Sequence, residues 1–163
     1  MDSGPIVAQR FFHVAPDETA ATLYAKHMAA LAAMLDRLLP ALAAGTAEAI
    51  VQDDRLATWA ARRRPRDGQI DWTCSAPDID RLVRAVGRPY PGARTHGPDG
   101  DAITVWRTEA FGDAGRYHGL PGQVVQRDGS TFAVCCGDGT ALRVTEHSAA
   151  APPALHSQLG IAA

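Results

Sequence analysis

Three observations predict an α+β fold. Apolar side chains recur at helical spacing over residues 24–42, and five short β-favouring runs, cut by glycine turns, lie between residues 93 and 146. A charged, proline-bearing stretch separates these two blocks. The expected architecture is one strand and a long helix, followed by a small antiparallel β-barrel with one short helix.

Each element follows from local chemistry. Residues 6–14, IVAQRFFHV, favour extended backbone and are closed by Pro16. A helix over 17–44 starts at Asp17 or Thr19 as cap, with Glu18 at the positive end of its dipole, and stops at Gly45. Within it Tyr24, Met28, Leu31, Leu35, Leu38 and Leu42 form one stripe, and Pro40 bends or restarts the last turn. Exposing such side chains costs roughly 1.5–3 kcal/mol each, so the stripe is expected to pack against another part of the same fold, or else against a coiled-coil partner.

Residues 51–70 read as a linker with five arginines and three aspartates. Its cluster Arg62, Arg63, Arg64 and Arg66 beside Pro65 is either a solvated face or a contact for an anion such as a sugar-nucleotide phosphate. A short helix capped by Ser75 or Ala76, with Pro77 in its first turn, runs to Gly87 and places Ile79, Leu82, Val83 and Val86 on one face. The strand runs ARTH, AITVWRTEAF, GQVVQ, STFAVCC and ALRVTE follow. Turn signals at Pro98-Asp99-Gly100, Asp128-Gly129 and Asp138-Gly139 lie between them. The boundaries are therefore 1–50, a linker at 51–70, a barrel at 71–146 and a flexible tail at 147–163 with little to bury.

Composition narrows the function. The 163 residues are 46% hydrophobic and 21% charged, which is incompatible with disorder throughout. No apolar run nears the ~20 residues of a membrane span, and MDSGPIVAQR lacks the basic start of a secretory leader. Sixteen basic against eighteen acidic side chains, net −2, argue against a general phosphate-backbone binder. Residues 71–163 carry eight arginines against ten acids, and their aromatics do not alternate with basic residues. Three cysteines, two of them the neighbours Cys135 and Cys136, read as reduced thiols of a cytoplasmic protein.

Little catalytic patterning is present. There is no phosphate loop, no metal-ligand spacing and no nucleophile elbow. The histidines at 13, 27, 96, 118, 147 and 156 are scattered, Gly137-Asp138-Gly139 is a turn, and Cys135 and Cys136 suit a buried strand. Asp2-Ser3-Gly4-Pro5-Ile6 stands apart, because it sets an acid in a tight turn ahead of a strand and a long helix.

Read in order, MDSGPIVAQR, the helical stretch, VQDDRLATWAARRRPRDGQIDW, LVRAVGRPYPGA, ITVWR, LPGQVV and VCCGDGTALRV resemble the 10-formyltetrahydrofolate-dependent formyltransferases over residues 1–146. That group includes methionyl-tRNA, sugar-nucleotide and hydroxyornithine formyltransferases, and RRRPRDGQIDW is more similar to the latter two branches. The resemblance implies that residues 1–50 end an α/β catalytic domain and that the barrel is OB-like. It also implies formyl transfer from 10-formyltetrahydrofolate, without a metal, to the amine of a small substrate, an amino-sugar nucleotide or an N-hydroxyornithine.

In such enzymes an Asn and a His stabilise the oxyanion, while an Asp orients the His and assists proton transfer. Asp2 matches that catalytic acid, Gly4 its folate-side turn, and Arg62, Arg63 and Arg64 are candidates for substrate contact. No asparagine occurs in the chain. The resemblance therefore implies an upstream polypeptide that completes the site, and little activity from these residues alone. The alternatives are a tRNA-binding barrel of the methionyl type, or a non-catalytic scaffold that forms a homo-oligomer through the helix stripe.

Overall fold

The computed structural model describes residues 3–160, and the chain divides into two compact units. The first comprises the residues up to Glu18 together with Thr22–Arg63; the second comprises Thr19–Ala21 and Arg64 onward.

Helix α1 (Ala20–Ala43) dominates the first unit and continues through Pro40. It ends as expected at Gly45, whose φ of +68° lets two bonds close over the last turn. The Gly45 N–H donates to the Leu42 carbonyl at 3.1 Å, and the Thr46 N–H donates to the Ala41 carbonyl at 2.9 Å. That pair is the Schellman pattern, which satisfies carbonyls otherwise orphaned at a helix end. Near its start Lys26 pairs with Glu18, and the bond holds the Glu18 carboxyl below its ordinary range.

Packing of the stripe departs from the expectation of a core within the chain. Ala30 is the buried residue of α1, whereas Tyr24, Met28, Leu31, Leu35, Leu39 and Leu42 are exposed and Leu38 is half-buried. Of the β-favouring run at 6–14, Ile6 alone finds a backbone partner, Ile50. Phe11 is 84% exposed, and Val7, Phe12 and Val14 are exposed as well. The helical period is present, but nothing among the described residues covers its apolar face.

The second unit is a five-stranded antiparallel sheet under one helix. Helix α2 (Ala76–Val86) has Ser75 as its cap, with the hydroxyl accepting from the Asp78 N–H at 3.3 Å. Strands β1 (Ala93–His96), β2 (Ala102–Ala110), β3 (Val124–Asp128), β4 (Thr131–Cys135) and β5 (Ala141–His147) take the order β1-β2-β5-β4-β3. All five expected strands and the three expected turns are present; Gly100, Gly129 and Gly139 each have positive φ. Ile79, Val83 and Val86 of α2 bury against Ile103, Val105, Phe132, Val134, Leu142 and Val144. The alternation along β4 sends Ala133 and Cys135 to the other face, under Phe111, Val125 and Tyr117.

Two features differ from the sequence boundaries. The linker expected at 51–70 ends early, because Ile70 is buried in the second unit and its N–H donates to the Arg94 carbonyl at 2.7 Å. The tail expected to have little to bury is instead built into the sheet. The Val124 N–H donates to the Ser157 carbonyl at 2.9 Å, the Leu159 N–H to the Gly122 carbonyl at 2.8 Å, and the Gly160 N–H to the His96 carbonyl at 2.9 Å. Leu159 enters the core, and the segment links the β3 edge to the end of β1. The strands themselves leave β1 and β3 at opposite ends of an open order, so this segment does the closing that strand pairing does in a closed barrel.

Candidate functional site

The turn expected to carry the acid begins at the edge of the description, and Asp2 lies outside the described residues. Ser3, Gly4 and Pro5 are exposed. Beyond them Ile6 and Ile50 exchange backbone hydrogen bonds of 2.8 and 2.9 Å, 44 positions apart in the sequence. The Gln52 side-chain amide donates to the Gly4 carbonyl at 2.6 Å. Sequence reasoning did not single out Ile50 or Gln52, since a pairing at that separation has no local signature.

A Cβ built on Gly4 meets nothing within 4 Å, and of residues 3–14 only Ile6 is not fully exposed. These residues therefore do not enclose a pteridine by themselves, although Gly4 remains free to face one. Arg62, Arg63 and Arg64 are exposed. The Arg64 N–H donates to Asp67 Oδ2 at 2.6 Å, opening the turn Pro65–Gly68. Arg62 and Arg63 have no ion-pair partner among the described residues. Arg63 closes the first unit and Arg64 opens the return to the second.

The motifs of the second unit are joints of the fold. In Ile70-Asp71-Trp72 both apolar side chains are buried, and the Trp72 indole N–H donates to Thr95 Oγ1 at 3.0 Å. Asp71 accepts from the Thr73 hydroxyl and N–H, and those two bonds hold its carboxyl below the ordinary range. In the Cys136–Gly139 turn the Gly137 N–H donates to the Cys74 carbonyl at 2.9 Å. A Cβ on Gly137 would sit 1.7 Å from the Thr73 carbonyl oxygen, so only glycine allows this approach.

Asp138 accepts from the Thr140 hydroxyl at 2.6 Å and from the Ala76 N–H at 3.1 Å, so it braces its own turn and the first turn of α2. The Thr140 hydrogen bond leads in lowering the Asp138 carboxyl below its ordinary range. Burial pushes the Cys136 thiol up to about 12 and raises that of Cys135, which suits packing residues and not nucleophiles.

Other groups are equally committed. Arg88 stacks 4.7 Å over the Trp106 ring and pairs with Glu146 at 3.2 Å, so neither the ring face nor the cation is left for a nucleic acid. Among the described residues no group of three or more His, Cys, Asp or Glu could hold a metal ion, and no helix is long and apolar enough to cross a membrane.

Comparison with known proteins agrees with this division. Solved structures of HypX from Aquifex aeolicus share the fold. One variant matches with a TM-score of 0.71 at 19% identity over 90% of this chain and 26% of that one. The complex of HypX with tetrahydrofolic acid matches with a TM-score of 0.71 at 18% identity, over 90% and 25%. The chain thus spans about a quarter of the HypX structures it matches. A match over 90% of the chain must reach well into the residues ahead of 62, so the first unit shares in it. Residues 62–158 match the family described as formyl transferase, C-terminal domain. Since that match takes in more than half of the residues, the chain belongs to the formyl transferase C-terminal domain family.

Proposed function

We propose that the chain supplies the C-terminal domain and one catalytic carboxylate of an enzyme that moves a formyl group from 10-formyltetrahydrofolate to the amine of a small substrate. The observation that carries this reading is the bare apolar surface of the first unit, next to the Gly4-Pro5 turn. The six stripe side chains, if covered, stabilise an interface by roughly 1.5–3 kcal/mol each, before the costs of association. A folate-binding sheet that carries the family's Asn and His is the occupant that makes both the helix and the turn useful. The tetrahydrofolic acid bound by HypX supports a folate donor.

10-Formyltetrahydrofolate supplies the formyl carbon and keeps its own nitrogen as the leaving group. The acceptor amine forms the new C–N bond and must lose a proton. Asp2 holds the neighbouring imidazole and takes part in that proton transfer. The oxyanion donors come from the partner elements, and each is worth about 10²–10³ in rate. Arg62, Arg63 and Arg64 contact anionic groups of the substrate; a diphosphate-bearing amino-sugar nucleotide suits them better than an N-hydroxyornithine.

The test joins the chain to a formyltransferase N-terminal half bearing Asn-x-His, supplies 10-formyltetrahydrofolate, and offers each amine class in turn. Formylated amine is expected only when both halves are present. No product with either amine would overturn the reading.

A further inference from the structure

We infer that Gln52 is a positioning residue for the turn that bears Asp2, an assignment that rests on the formyl-transfer reading above. Ile6 and Ile50 form a hydrogen-bonded antiparallel pair, with N–H to carbonyl distances of 2.8 and 2.9 Å. Two residues farther along, that register sets Gly4 opposite Gln52, the place of the next hydrogen-bonded pair. Pro5, between Gly4 and Ile6, has no N–H to give. At that place the Gln52 side-chain amide donates to the Gly4 carbonyl at 2.6 Å. A side chain thereby extends the pairing one step toward Asp2.

Three hydrogen bonds thus hold residues 4–6, two to Ile50 and one to Gln52. The turn has little other support, since Ser3, Gly4 and Pro5 are exposed and no atom lies within 4 Å of a Cβ placed on Gly4. The Gly4 carbonyl lies only two residues from the carboxylate, so its orientation sets the direction in which the chain leaves toward Asp2. A misplacement of about 1 Å at a reacting group can cost about 10²-fold in rate. Gln52 makes no contact with the reacting atoms in this account. It acts through the backbone.

The experiment uses the chain joined to its folate-binding half and measures kcat and KM for the four combinations of Asp2→Asn and Gln52→Leu. Gln52→Leu is expected to lower kcat by about 10²-fold, with KM for 10-formyltetrahydrofolate unchanged. On the Asp2→Asn background it should add nothing, because the group it positions is already disabled. Gln52→Lys keeps an N–H donor on a long stem and should recover part of kcat. Amide exchange at Ile6 provides a second readout, faster in Gln52→Leu and restored in Gln52→Lys. Wild-type kcat in Gln52→Leu, or a full further loss on top of Asp2→Asn, overturns the assignment of Gln52. Full activity in Asp2→Asn overturns instead the formyl-transfer reading on which it rests.

Discussion

Replacing Gly137 with alanine tests whether the Cys136–Gly139 turn is a joint of the fold. The added methyl would lie 1.7 Å from the Thr73 carbonyl oxygen, 2.4 Å from its carbon and 2.9 Å from its Cα. All three are backbone atoms, so no rotamer change relieves the clash. The strand end and the Thr73-Cys74 segment must separate. Separation breaks the 2.9 Å bond from the Gly137 N–H to the Cys74 carbonyl, worth about 1 kcal/mol. It also pulls Asp138 from the Ala76 N–H, a capping contact worth about 1 kcal/mol. Overpacking adds about 1–3 kcal/mol.

The total of about 3–5 kcal/mol is a large part of the 5–15 kcal/mol by which domains are ordinarily stable. Urea unfolding followed by near-UV circular dichroism measures it, with Gly112→Ala as control, because a Cβ there meets nothing within 4 Å. A Gly137→Ala protein within 1 kcal/mol of the parent, about the worth of a single hydrogen bond, would refute the reasoning.

Further outcomes follow from the same structure. Leu159→Ala should cost about 2–5 kcal/mol in the same unfolding assay, because the side chain is core and not tail. Leu35→Asp should leave the chain's own unfolding midpoint nearly unchanged, since Leu35 is exposed, yet abolish co-purification with a folate-binding half. A thiol reagent should label Cys74 alone in the native protein and all three cysteines after denaturation, because Cys135 and Cys136 are buried. Asp138 has a lowered carboxyl pKa, so its contribution to stability is present above the ordinary carboxylate range and is lost as pH falls through the lowered value. Asp138→Asn should accordingly flatten the acid limb of a stability-against-pH curve.

Local chemistry made much of the second unit legible. The glycine turns, the Ser75 cap and the apolar face of α2 are each set by residues within a few positions of one another, and each stands where it was expected. The closing segment was not legible. A run of Ala, Pro and Ser offers no period, and Leu159 has meaning only beside Gly122 and Trp72. The α1 stripe was legible as a helix face, but its neighbour was not, because periodicity reports what must be covered and never what covers it. At the candidate site Asp2 and Gly4 stand out through the Asp-Ser-Gly-Pro turn, whereas Gln52 is tied to Gly4 by a bond across 48 positions. The family motifs from residue 70 to 139 identify a lineage, yet the residues in them pack, cap and turn.

The most direct measurement follows tetrahydrofolate release from 10-formyltetrahydrofolate, with an acceptor amine present, when the joined protein is titrated with its own Asp2→Asn form as reference. The account predicts acceptor-dependent turnover that falls by orders of magnitude in Asp2→Asn while folate binding is kept. Equal turnover in the two proteins would contradict it.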